Sequence, residues 1–123
     1  MSSILVVDDD ENLRDGVRRI LHQAGYEVRE ASDGLQGMRS VEQTPVDVIL
    51  LDIFMPGKEG LETIRELRCA HSAIRIIAMS GGGAKGSFDM LKLAQMLGAR
   101  RTLAKPFSRE QLLDAIQGEL GQA

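Results

Sequence analysis

Five short apolar runs, each followed by a segment of helical periodicity, leave few folds open to this chain. Ile4 to Val7 is a continuous apolar run rich in β-branched residues, as expected of a strand covered on both faces. Residues 10–24 then place Leu13, Val17, Ile20, Leu21 and Ala24 on one helical stripe, and Gly25 follows at a position suited to a left-handed cap. The same reading predicts further strands over 26–31, 46–51, 74–79 and 101–104, the third apolar except for Asp47. Helices are expected over 33–43 with Leu35, Met38 and Val41 inward, and over 58–68 with Leu61, Ile64 and Leu67 inward. Two more follow over 87–97 and 108–120, the last built on Leu112, Leu113, Ile116 and Leu120. Strands alternating singly with helices imply a parallel sheet with helices on both faces, and five strands are too few for the eight-stranded barrel.

Composition narrows the function. A chain of 123 residues suits one domain, and 43% hydrophobic residues suffice for a core. The net charge of −3 and the 3% aromatic content offer neither the basic face nor the stacking surface of a nucleic-acid binder. No run approaches the ~20 apolar residues of a membrane span, and the N-terminus lacks the pattern of a signal peptide. A single cysteine, Cys69, fits a reducing compartment, so a cytoplasmic domain with no membrane or nucleic-acid partner is expected.

The chemistry gathers at the carboxyl ends of the strands, where open parallel sheets place their ligands. The first strand ends in Asp8, Asp9 and Asp10, the third in Asp52, the fourth in Ser80 and the fifth in Lys105. Asp10 is expected to cap the following helix. Crowded carboxylates repel one another, and a hard divalent cation such as Mg²⁺ relieves the repulsion while leaving room for phosphate oxygens. An aspartate can serve as the nucleophile in an acyl-phosphate reaction, with a lysine supplying a point charge to the phosphoryl oxygens. Alone, each residue is a helix cap, a turn serine or a surface lysine. Together they make a phosphoryl-transfer site.

The segments ILVVDDDE, VILLDIFMPGKEG, IIAMSG and LGARRTLAKPF resemble, in order and spacing, the signature segments of response-regulator receiver domains. The resemblance covers essentially the whole chain, residues 1–123, and shows no output domain. It implies a flavodoxin-like (βα)5 fold, doubly wound, with strand order 2-1-3-4-5. It also implies that Asp52 is the phosphoacceptor and that Asp8, Asp9, Asp52 and the backbone carbonyl of Phe54 hold Mg²⁺. Ser80 would be the switch hydroxyl, the Gly81 N–H would face the phosphoryl oxygens, Lys105 would pair with them, and the Lys105–Pro106 peptide would be cis. The donor would be a histidine kinase or a histidine phosphotransfer protein, and the receiver a phosphorylation-controlled binding module rather than an enzyme acting on an outside substrate. A downstream protein or output domain would read it. A homodimer through the fourth helix, fifth strand and fifth helix is a further expectation. Two departures stand out. The family usually carries an aromatic three residues before the lysine, where this chain has Thr102, and residues 81–86 form a longer glycine-rich loop expected to take up more of the switching motion.

Other signals point elsewhere less strongly. Residues 81–86 match G-x-G-x-x-G, but the region about 20 positions on reads Arg100, Arg101, Thr102 where a dinucleotide site requires an acid. Asp8-x-Asp10 with Ser80 and Lys105 mimics a haloacid-dehalogenase phosphohydrolase, but that reading leaves Asp52 unexplained and lacks an acidic cluster after Lys105. A degenerate receiver that works without phosphorylation would not need the full acceptor set. In the fourth helix Met90, Leu93, Ala94 and Leu97 are expected inward and Phe88 and Met96 outward, while Cys69 is expected to be half-buried and inert and the two histidines to lie at the surface.

Overall fold

The computed structural model describes residues 2–53, 60–71, 73–81 and 87–121, with the backbone alone for 87–91. The elements run β1 (Ser3–Val7), α1 (Glu11–Gln23), β2 (Glu27–Ala31), α2 (Gly34–Gln43), β3 (Val48–Asp52), α3 (Gly60–Ala70), β4 (Arg75–Gly81), α4 (Ser87–Leu97), β5 (Arg101–Lys105) and α5 (Arg109–Leu120). All strand pairs are parallel, in the order β2-β1-β3-β4-β5. The flavodoxin-like architecture expected from the sequence is the one observed.

Crossover handedness explains where the helices lie. The chain steps outward from β1 to β2, then reverses and runs β3, β4, β5 in the other direction. Right-handed crossovers then put α1 on one face and α2, α3 and α4 on the other. Alternation along the strands supplies each face with its apolar side chains. Ile4, Val6, Val48, Leu50, Ile77 and Met79 pack with Val17 and Leu21 of α1 and with Leu112 and Ile116 of α5. Leu5, Val7, Ile49, Leu51, Ile76 and Ala78 pack with Val41, Ile64, Leu67 and Ala94. The reversal leaves a switch point between β1 and β3, the place where such sheets bind ligands.

Local capping follows the sequence. The Asp10 carboxylate accepts hydrogen bonds from the Asn12 and Leu13 amides at the start of α1, and Gly25 adopts φ of 95° just past its end. Asp47 precedes β3 rather than joining it, and its carboxylate accepts a hydrogen bond from the Ser3 amide at 2.8 Å.

Four inward expectations and one for Cys69 are corrected. Leu35 is 50% exposed because α2 contacts the sheet through Gly34, Gly37 and Val41. A Cβ at Gly37 would stand 3.1 Å from Val7, so α2 sits close to β1 along that stripe and Leu35 turns away from it. In α4 Ala94 is buried, but its neighbours Leu93 and Leu97 are substantially exposed along with Met96. Ala24 caps α1 and is exposed. Cys69 is exposed as well, since it lies two residues, about 200° of helical rotation, past the buried Leu67. The Phe54 carbonyl, the first residues of the predicted third helix, the glycine-rich loop over 82–86 and the side chains of Phe88 and Met90 lie outside the described residues.

Candidate functional site

Parallel pairing brings five side chains to one end of the sheet. Asp8 and Asp9 follow β1, Asp52 ends β3, Ser80 stands next to last in β4 and Lys105 ends β5. The registers Asp52↔Met79 and Gly81↔Lys105 fix how far each strand projects. Carboxylate oxygens of Asp8, Asp9 and Asp52 all lie within 4.8 Å of one another, Asp8 and Asp52 buried and Asp9 exposed. Lys105 reaches in from the sheet edge, its Nζ 2.6 Å from Asp8 Oδ2 and 3.4 Å from Asp52 Oδ2.

Asp8 is fixed from several sides. Its amide donates to the Ala31 carbonyl at 3.1 Å. Its Oδ1 accepts from the Asp10 amide at 2.9 Å, its Oδ2 from Lys105, and its main-chain carbonyl from Arg14 Nη1 at 2.6 Å. Burial of Lys105 acts to lower its pKa, but the hydrogen bond to Asp8 and the charges of Asp52 and Asp8 outweigh it and hold the group above the ordinary 10.5. The lysine is therefore a fixed cation at neutral pH.

One ammonium faces three carboxylates, which leaves this group with an excess of negative charge in a mostly buried setting. Oxygen-only donors, two of them buried and one open to solvent, suit a hard divalent cation that keeps part of its water shell. Ser80 adds a second polar feature. It is 1% exposed and its Oγ has no hydrogen-bond partner among the described residues. A Cβ added at the next residue, Gly81, would meet nothing within 4 Å among the described residues, so the opposite face of the strand end is open there. Thr102, half-buried on β5, pairs with Ala78. The Lys105–Pro106 peptide is cis.

The family model for the response regulator receiver domain matches residues 4–117. This chain belongs to that family. Receiver domains are signalling modules of two-component systems that interact with histidine kinases and output domains. This receiver is 33% identical over 114 residues to sporulation initiation phosphotransferase F of Bacillus subtilis, covering 93% of this chain and 90% of that protein. It is 37% identical to the transcriptional regulatory protein CpxR of Klebsiella pneumoniae over 98% of its own length, but spans only 50% of that relative. The crystal structure of the receiver domain of NtrX from Brucella abortus superposes with a TM-score of 0.91 at 29% identity, covering 98% of this chain and 99% of that one.

Two features escape a reading of the sequence. Arg14 looks like a solvated helix residue, yet its side chain is 15% exposed and holds the Asp8 carbonyl. No spacing in the sequence signals that contact. Glu119, apparently a surface acid of α5, is 7% exposed and pairs with Arg100 at 2.7 Å and Arg101 at 2.6 Å. Gly118 makes room for this, because a Cβ there would collide with the Arg101 guanidinium. Among the described residues no helix is long and apolar enough to cross a membrane.

Proposed function

We propose that this receiver takes a phosphoryl group onto Asp52 from a histidine kinase or histidine phosphotransfer protein and changes its binding surface in response. The observation that carries the reading is the convergence of Asp8, Asp9 and Asp52 on one point with Lys105 bridging Asp8 and Asp52. Asp8, Asp9 and Asp52 would hold Mg²⁺, with the Phe54 carbonyl as the further ligand the family resemblance implies. The cation, when bound, supplies positive charge to the phosphoryl oxygens.

The Asp52 carboxylate attacks phosphorus of the donor phosphohistidine. The P–N bond breaks, its electron pair leaves with the imidazole nitrogen, and that nitrogen recovers a proton from solvent. Lys105 turns part of its hydrogen bonding from Asp8 and Asp52 to the incoming oxygens. The unpartnered Ser80 hydroxyl and the Gly81 amide are further donors for them, and the gain of a partner for a buried hydroxyl favours the phosphorylated arrangement. The exposure of Leu93, Met96 and Leu97 on α4 supports the reading of the α4–β5–α5 face as the surface for a downstream protein, an output domain or a second copy.

A dehalogenase-type hydrolase would need Asp8 as nucleophile and Asp10 as acid. The Asp8 carboxylate accepts hydrogen bonds through both oxygens, from the Asp10 amide and Lys105, and Asp10 is committed to capping α1, which favours the reading through Asp52. Incubation with acetyl phosphate and Mg²⁺ followed by intact mass tests the reading. The unmodified sequence should gain the mass of one phosphoryl group and Asp52→Asn should not. No gain on either protein, or equal gain on both, overturns it.

A further inference from the structure

Arg14 contributes nothing to the acceptor chemistry just described, yet it is tied more tightly to the site than any other helix residue described. Its Nη1 donates to the Asp8 main-chain carbonyl at 2.6 Å, a short charge-assisted hydrogen bond. The other side of the guanidinium, Nε, faces Glu30 Oε1 at 3.3 Å, and the second oxygen of Glu30 is held by Arg18 at 3.3 Å. Glu30 lies on β2, opposite Val6 of β1, and the next residue, Ala31, accepts the Asp8 amide. The arginine therefore ties the turn after β1 to the neighbouring strand through two groups set in fixed directions.

The carbonyl it holds belongs to the peptide that joins Asp8 to Asp9. With the Asp8 amide and both its carboxylate oxygens already engaged, the direction of that carbonyl fixes the remaining soft torsion, ψ of Asp8, and with it the direction in which Asp9 leaves the chain. Asp9 is the exposed member of the carboxylate cluster, so little else constrains it. We infer that Arg14 is a positioning residue: by fixing the Asp8 carbonyl it aims the Asp9 carboxylate at the cation site. The inference rests on the reading of Asp8, Asp9 and Asp52 as the Mg²⁺-holding group. Glu30 is the partner that orients Arg14.

The sign of the effect separates positioning from charge. A guanidinium near a cation site repels the cation, so removing it should tighten metal binding if charge alone mattered. Loss of positioning should weaken binding, and groups that orient metal ligands are worth about tenfold or more in affinity. The test is titration of the full chain with Mg²⁺ by calorimetry, and with Mn²⁺ by electron paramagnetic resonance, for the wild type, Arg14→Gln, Arg14→Lys and Glu30→Gln. Circular dichroism and thermal unfolding verify that each variant folds. Arg14→Gln should bind both metals about tenfold more weakly, Arg14→Lys should recover part of the loss, and Glu30→Gln should shift in the same direction by less. With acetyl phosphate, the Mg²⁺ concentration for half-maximal phosphorylation should rise by a similar factor, while the rate at saturating Mg²⁺ falls far less. Unchanged or tighter binding in Arg14→Gln, with the wild type binding Mg²⁺ and taking up phosphoryl, overturns the inference and leaves the receiver reading standing. A wild type that binds no divalent cation overturns both. Should Arg14→Gln not fold, the Arg14→Lys and Glu30→Gln titrations decide.

Discussion

Lys105 and Asp8 stand 97 residues apart in sequence and 2.6 Å apart in space, at the ends of β5 and β1. The lysine side chain is 19% exposed and the aspartate 1%, so their attraction is little screened by solvent. The same Nζ lies 3.4 Å from Asp52. Lys105 is thus the counter-charge that lets a buried acidic pair exist before any cation or phosphoryl group arrives.

Removing that counter-charge should be felt directly. In chelator, Lys105→Ala is expected to lose about 2 to 3 kcal/mol of unfolding free energy, somewhat below the usual loss for a fully buried pair because the lysine is partly exposed. Asp52→Asn, which removes one of the repelling carboxylates and keeps the Lys105–Asp8 pair, should gain about 1 kcal/mol. Millimolar Mg²⁺ should restore part of the Lys105→Ala loss, since a cation bound only by the native state adds stability by mass action. Urea unfolding with and without Mg²⁺ measures all three. A Lys105→Ala protein as stable as wild type in chelator would show that the cluster does not depend on this lysine.

Ser80 should behave in the opposite way. Its hydroxyl is buried and has no partner among the described residues, which leaves the folded state with an unmet hydrogen-bonding group there. Replacing it by alanine removes that penalty and leaves a void no larger than one oxygen. Ser80→Ala is expected to be as stable as wild type or more stable by up to about 1 kcal/mol. The same variant should lose much of the stabilisation that beryllofluoride and Mg²⁺ give the wild type, because one donor to the phosphoryl mimic is gone. Thermal unfolding with and without beryllofluoride gives both numbers. A clear destabilisation in the absence of beryllofluoride would mean that the hydroxyl is already satisfied.

Much of this was legible in the sequence, for a physical reason. In a parallel sheet every strand delivers its last residue to the same edge, so Asp8, Asp52, Ser80 and Lys105 could be placed together from strand ends alone. Helix faces were less legible. A helical wheel gives the direction of an apolar stripe but not where the sheet meets it. Small residues, Gly37 in α2 and Ala94 in α4, let these helices approach closely and decide the contact line, leaving Leu35 and Leu93 in solvent. Arg14 and Glu119 were hidden for a different reason. Their partners are a main-chain carbonyl in another turn and arginines from another element, and neither kind of contact leaves a spacing in the sequence.

Gly60 is the position where backbone packing holds the acceptor most directly. A Cβ there would fall inside the contact distance of Ile53 Cα and 2.7 Å from the carbonyl of Asp52. Both obstacles are main chain, which cannot rotate aside as a side chain would. Gly60→Ala must therefore displace α3 or the end of β3. It is expected to destabilise by about 2 to 3 kcal/mol despite the better helix propensity of alanine, as overpacked sites do. It should also slow acetyl-phosphate labelling of Asp52 at temperatures where the variant is fully folded. Normal stability together with normal labelling would show that the close approach of α3 to β3 does not hold the acceptor.

Asp10 tests how the acidic run divides its work. Three consecutive carboxylates follow β1, but the third points into α1, accepting from the Asn12 amide at 2.9 Å and the Leu13 amide at 3.3 Å. What Asp10 gives Asp8 is a main-chain amide, which any residue except proline supplies. Asp10→Ala should therefore cost about 1 kcal/mol of stability, the usual loss of a helix cap, and Asp10→Ser should recover most of it. Both variants should still label on Asp52 with acetyl phosphate, and their Mg²⁺ affinity should stay within about twofold of wild type, because the lost charge lies outside the cluster of Asp8, Asp9 and Asp52. Asp9→Ala, by contrast, should bind Mg²⁺ far more weakly with little change in chelator stability, since its carboxylate is exposed. If Asp10→Ala abolished labelling while Asp9→Ala did not, Asp10 rather than Asp9 would be the working carboxylate and the site would have to be redrawn around the dehalogenase pattern.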